Sequence, residues 1–115
     1  MSVDKKYVVK ISESGAAEPC EIDPRNRLVS LKKALNNKPV KVIKLYDEKS
    51  SVLVVDNDMT NDLSHLNTKA TEKAINGLAE VTYITGDVLL AYRKDAQFSY
   101  MSFDDAVALS SEING

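Results

Sequence analysis

Short apolar runs alternate with polar breaks along the whole 115-residue chain, and the spacing of the apolar positions predicts most of its elements. Tyr7-Val8-Val9-Lys10-Ile11 reads as a strand, Ser14-Gly15 as a turn, and Pro19 to Ile22 as a second extended segment, together an opening hairpin. Asp23-Pro24-Arg25-Asn26 carries helix-start chemistry, after which Leu28, Leu31, Ala34 and Leu35 recur at helical spacing. That stripe stops near Asn36-Asn37, and Pro39, which lacks a backbone N–H, cannot continue it. Val40 to Tyr46 and Ser51 to Asp56 form a second strand pair joined through Asp47-Glu48-Lys49-Ser50. Val52-Leu53-Val54-Val55 is apolar on both faces, which places it centrally in the sheet.

Periodicity is lost between Asn57 and Leu66, where Asn, Asp, Ser and Thr side chains compete for the local backbone. A loop of about ten residues is expected there, longer than packing alone requires and so a candidate functional loop. Thr68 to Ile75 is a short helix ending at Gly77, a residue able to take the left-handed conformation that closes a helix. Val81 to Ile84 and Val88 to Tyr92 read as strands hairpinned about Gly86-Asp87. Ser102-Phe103-Asp104-Asp105 then opens a terminal helix bearing Ala106, Val107 and Leu109, with Ser102 as N-cap and both aspartates near the positive dipole end. The order ββαββαββα predicts an α+β fold, a mainly antiparallel sheet of about six strands with two or three short helices, as a single domain over residues 1–115.

Composition adds limits to this picture. A chain of this length buries roughly 65% of its unfolded surface, enough for one core without staples. With 43% apolar and 28% charged residues and no long apolar run, neither disorder nor a membrane span is indicated. Lys10 and Glu13 interrupt the first apolar strand, so no segment of signal-peptide length follows Met1 and a cytoplasmic location is expected. Cys20 is the only cysteine, which excludes an internal disulfide and fits a reducing compartment.

Charge is unevenly spread. Residues 1–56 hold eleven Lys/Arg against eight Asp/Glu, whereas residues 57–115 hold four against nine. Between Pro24 and Tyr46, Arg25, Arg27, Lys32, Lys33, Lys38, Lys41 and Lys44 occur without an acidic residue. Such a run can attract an anion, though a solvated helix face plus a strand edge is the reading favoured for it. An overall negative chain with one basic patch lacks the footprint of a DNA-binding domain, and nucleic acid is not an expected partner.

Catalytic chemistry finds little support. His65 is the only histidine, which leaves a pairing with Asp58 or Asp62 as the one His/carboxylate arrangement and no multi-histidine metal site. Cys20 reads as a buried structural thiol, Asp104-Asp105 as helix capping, and the four glycines form no phosphate-cradling loop. A non-enzymatic protein without cofactor or metal is expected. Binding chemistry is better served, because Tyr46, Tyr83 and Tyr92 lie on predicted strands where one could stack on a base. A nucleotide needs stacking, charge neutralisation and directional hydrogen bonds together, and Tyr46 with Lys41, Lys44, Asn57, Asn61, His65, Asn67, Thr68 and Lys69 is the ligand-binding set that offers them.

The ordered elements Val55-Asp56-Asn57-Asp58, Thr68-Lys69-Ala70, Ile75-Asn76-Gly77, Ile84-Thr85-Gly86 and Phe98 through Asp105 resemble, from Tyr7 to Leu109, a small family of phage and bacterial mobile-element proteins, a domain of unknown function. Where that family carries Gly-Leu-Pro before Asn-Arg, this chain has Ser64-His65-Leu66-Asn67 before Thr68-Lys69. The resemblance implies a small accessory protein acting on a host cell, a class that includes nuclease inhibitors and sponges for nucleotide immune signals. The first expectation is therefore a non-catalytic counter-defence protein that sequesters a nucleotide-derived signal, as a homo-oligomer because so small a domain has little concave surface. The alternative is a protein-binding inhibitor of a host defence enzyme, acting through an exposed sheet edge or an acidic surface.

Overall fold

A computed structural model describes residues 5–46, 51–58, 62–77, 79, 83–94 and 97–115. In chain order these form β1 (Lys6–Ile11), β2 (Ala17–Ile22), a 3-10 turn (Pro24–Asn26) running into α1 (Arg27–Ala34), β3 (Val40–Lys44), β4 (Ser51–Asp56), a 3-10 turn (Leu63–His65), α2 (Thr68–Asn76), β5 (Val88–Lys94), β6 (Gln97–Ser99) and α3 (Phe103–Asn114). The main strand order is β2-β1-β5-β4-β3, and every pairing is antiparallel. Short β6 joins the far part of β5, Tyr92 opposite Ser99, beyond the stretch that pairs with β1. The fold is α+β, as the periodicity predicts.

Helices cover both faces of the sheet. Because successive strand residues point to opposite sides, Val8, Val52, Val54, Leu89 and Ala91 pack with Leu31 and Leu35 of α1 on one face. Val9, Ile11, Leu53, Val55, Val88 and Leu90 pack on the other with Ala70 and Ala74 of α2 and Ala106, Leu109 and Ile113 of α3. This is why β4 has no polar alternate: Val52 to Val55 are all buried. Each fully buried Val, Leu or Ile contributes roughly 1.5–3 kcal/mol against exposure, so the two clusters supply the main folding drive.

Two details depart from the sequence reading, each for a physical reason. The hairpin about Gly86-Asp87 does not form among the described residues, and residues 81 and 82 of the expected first strand lie outside them. Ile84 is claimed by the start of α2 instead: its carbonyl accepts from Asn67 N at 2.8 Å and its N–H donates to Thr71 Oγ1 at 3.0 Å. With those groups consumed no ladder can run through it, and the hairpin of this region is β5 with β6. Gly77 closes α2 at φ −89°, outside the left-handed region. Glycine is required there by close approach, since a Cβ would stand 2.8 Å from Leu45 Cβ and 3.1 Å from the Lys73 carbonyl oxygen. Among the described residues the left-handed non-glycine positions are Asn36 and Asn37, at φ 62° and 60°, where the chain leaves α1.

The last helix follows expectation at its start. Ser102 Oγ accepts from Asp105 N at 3.1 Å, and Asp104 and Asp105 occupy the first turn. Its buried side is Ala106, Leu109, Ser110 and Ile113, so Val107 of the expected stripe turns outward. Among the described residues no helix is long and apolar enough to cross a membrane.

Candidate functional site

At one end of the sheet a cleft of about 350 Å³ opens between the exit of α1, the end of β4, the polar loop, the β1–β2 turn and the approach to β5. Its walls carry Glu13, Asp56, Asp58, Asp62 and Asp87 against Lys38 and His65. Local hydrogen bonds explain how so many carboxylates are held together. Asp56 Oδ1 accepts from Asp58 N at 2.8 Å and turns the chain out of β4. Asp62 caps the Leu63–His65 turn by accepting from Ser64 N at 3.0 Å, and hydrogen bonds from Ser64 hold its carboxyl below the usual aspartate range. Asp87 Oδ1 accepts from Glu13 N at 2.8 Å, while its other oxygen lies 3.9 Å from Lys10 Nζ.

Across the cleft, His65 Nδ1 stands 3.0 and 3.1 Å from the two carboxylate oxygens of Glu13. The partner of His65 is thus Glu13 on the β1–β2 turn, a residue 52 positions away, and not Asp58 or Asp62 as the sequence suggests. Lys38 Nζ pairs with Asp56 at 3.7 Å. The five carboxylates outnumber Lys38 and the Lys10 ammonium beside Asp87, so the cleft is electronegative and suited to a cationic group. Among the described residues no group of three or more His, Cys, Asp or Glu is placed to hold a metal ion.

Beneath the cleft, Asn67 ties three segments together. Its Nδ2 donates to the carbonyls of Ile11 at 3.0 Å and Gly86 at 2.8 Å, and its Oδ1 accepts from Ala70 N at 3.1 Å as the N-cap of α2. The residue has no exposed surface. His65 is fixed from the same side, because its carbonyl accepts from Gly86 N at 2.9 Å.

Of the nine residues expected to bind a ligand, His65 is the only one among the described residues that lines the cleft. Lys41 and Lys44 are not brought together: Lys41 pairs with Val55, whose side chain belongs to the α2/α3 face, and Lys44 with Val52 on the α1 face. A spacing of three on a strand of period two dictates that separation. Tyr46 lies just past β3, 62% exposed, its N–H held by the Gly77 carbonyl at 2.7 Å. Asn57 is exposed at the mouth of the loop, Thr68 is exposed at the first turn of α2, and Asn61 lies outside the described residues. Lys69 is half-buried and lines a second hollow, about 340 Å³, with Glu72, Lys73 and Glu112. Asn67, expected as a polar reader, is instead a buried strut.

Tyr92 and Cys20 resolve as packing. Tyr92 packs against the α2/α3-side core, and Tyr7 meets Phe103 edge-on at 5.3 Å. Cys20 is half-buried against the α1-side core, and burial pushes its thiol up from its ordinary value, which suppresses the nucleophilic thiolate. Of the carboxylates that line the cleft, Asp58, Asp62 and Asp87 were foreshadowed only by the acidic excess after residue 57. Glu13 had no sequence signal, because its role arises from a contact between distant segments. No family model, curated protein or solved structure matches the chain.

Proposed function

We propose that this chain is a non-catalytic protein-binding module that docks a basic segment of a partner in its acidic cleft. On the resemblance to phage and mobile-element proteins, the partner is a host enzyme such as a defence nuclease, which docking blocks. The observation that carries this reading is the charge of the cleft: five carboxylates against two lysines, Lys38 beside Asp56 and Lys10 beside Asp87. Enzymes that act on nucleic acid present basic surfaces to phosphate, and an acidic cleft complements such a surface, with the gain falling mainly on specificity and association rate.

Capture of a nucleotide-derived signal is the second reading. It draws support from the exposed ring of Tyr46 beyond Lys44. A phosphate entering the cleft would, however, meet an excess of carboxylates.

The test is a native mass spectrum of the protein purified from host cells, compared with Asp58→Asn/Asp62→Asn, which keeps the cap geometry but removes two charges. A protein partner carried by the wild type and lost from the variant is the expected result. A retained nucleotide, or a protein partner held equally by both, would overturn the proposal.

A further inference from the structure

The two edges of the sheet are closed to different degrees. On β2, the ladder with β1 sets which residues face outward: Ser12 N donates to Ala16 O at 2.9 Å, so the even-numbered residues bond inward and Ala17, Pro19 and Glu21 turn their backbone out. Asn114 closes Ala17 at once, accepting from its N–H at 2.8 Å and donating to its carbonyl at 2.9 Å. Pro19 has no N–H to offer. Beyond the strand, Asp23 N is taken by Ser30 Oγ at 3.1 Å. Only Glu21 remains with both groups outward.

On β3 the parity is reversed. Asn57 N donates to Pro39 O and Leu45 N to Ser51 O, each at 2.8 Å, so odd-numbered residues bond to β4 and Val40, Val42 and Lys44 face out. Tyr46, the next in line, is closed by Gly77. Among the described residues nothing meets the outward N–H and C=O of Val40, Val42 and Lys44. Val42 is 45% exposed, and Lys41 and Lys44 flank it without an acidic partner among the described residues.

We propose that β3 is a strand-addition site for an extended, acidic segment of a partner protein. Three residues with outward N–H and C=O present a five-residue docking track about 17 Å long. An apolar residue opposite Val42 and carboxylates opposite Lys41 and Lys44 complete the cross-strand match. A second copy of this chain fits poorly, because β3 against β3 gathers two sets of Lys38, Lys41 and Lys44, and the β2 edge is largely closed, by Asn114 at Ala17 and by the missing N–H of Pro19. The site is separate from the acidic cleft and stands whether or not the cleft binds a basic partner.

The test uses the full-length, ¹⁵N-labelled protein and a capped peptide, Glu-Thr-Val-Glu-Val, with Lys-Thr-Val-Lys-Val as its charge-reversed counterpart. In the free protein the amides of Val40, Val42 and Lys44 should exchange with solvent much faster than those of Lys41 and Ile43. Saturation with the acidic peptide should shift and protect those three amides, and binding should weaken as salt is raised. The basic peptide should leave them unchanged at the same concentration. Lys41→Glu/Lys44→Glu should weaken the acidic peptide about tenfold and admit the basic one. Val42→Pro loses an N–H that faces outward, so the β3–β4 ladder should survive while peptide binding is abolished. If that variant fails to fold, the charge-reversal pair decides alone. Absence of any shift with the acidic peptide would overturn the proposal. So would protection of the three amides in the free protein that rises with protein concentration, which would assign the edge to a second copy.

Discussion

Asp62 and Asn67 stand five residues apart in one polar stretch, and their surroundings are opposite. Asp62 is fully exposed on the cleft wall, caps a 3-10 turn and keeps its carboxylate toward solvent. Asn67 has no exposed surface, and its side chain joins β1, the start of α2 and the approach to β5. Residue type does not separate the two, since Asn and Asp share the same turn and capping chemistry. What separates them is whether the backbone groups within reach are buried. An unpaired buried carbonyl costs far more than an exposed one that water can satisfy, so the interior residue is held by structure and the exterior residue lines the cleft.

The sharpest way to break this contrast is Asn67→Ala. It would strand the carbonyls of Ile11 and Gly86 and remove the N-cap of α2, for a loss of about 3 kcal/mol. In a domain of this size that corresponds to a fall in melting temperature on the order of 10 °C, measurable by urea and thermal unfolding. A loss below about 0.5 kcal/mol would place Asn67 with the surface residues.

Gly77→Ala examines the other end of α2. The added methyl would press on Leu45 Cβ and the Lys73 carbonyl, with an expected cost of about 1–3 kcal/mol in the same unfolding assay. No left-handed strain is involved, so Gly77→Asn, tolerated where a left-handed residue is needed, should be at least as damaging. Relief by asparagine would mean that φ, and not the close approach, demands glycine.

Neutralising the exposed wall should behave in the opposite way. Asp58→Asn/Asp62→Asn should leave unfolding free energy within about 0.5 kcal/mol while removing partner binding in a pull-down or calorimetric titration. Collapse of stability would make the wall structural.

The smallest effect is in the pH profile. Because the Asp62 carboxyl is held below its ordinary value by Ser64, its contribution is present above the unfolded-state value, about pH 4, and is lost as pH falls through the lowered folded value. Asp62→Asn should therefore flatten the acid limb of the stability curve slightly and leave the neutral region unchanged. Cys20 supplies the opposite sign at high pH: burial raises its thiol, so its contribution is kept below the unfolded value and lost as pH rises through the folded one. Slow alkylation of the native protein near neutral pH checks that side of the curve.

Elements whose signal is local were legible in the chain. The stripe Leu31 and Leu35, the all-apolar run Val52 to Val55 and the Ser102 cap each occupy the place that periodicity or capping chemistry assigns. The expected hairpin about Gly86-Asp87 does not form among the described residues, because Asn67 and Thr71, remote in the pattern, take the backbone of Ile84. The candidate site was less legible still. Lys41 and Lys44 share a charge but not a face, and Glu13 reaches His65 only when two turns meet.

The amino-acid sequence by itself determined the α+β class, the order of strands and helices, and the acidic excess of the second half, because propensity, period and net charge are properties of neighbours along the chain. Tertiary structure alone decided which polar residues became struts and which became surface, which strand edge stayed open, and where the carboxylates converge. Those outcomes depend on burial and on contacts between segments such as Glu13 with His65 and Asn114 with Ala17, and no local pattern encodes a distance between residues so far apart.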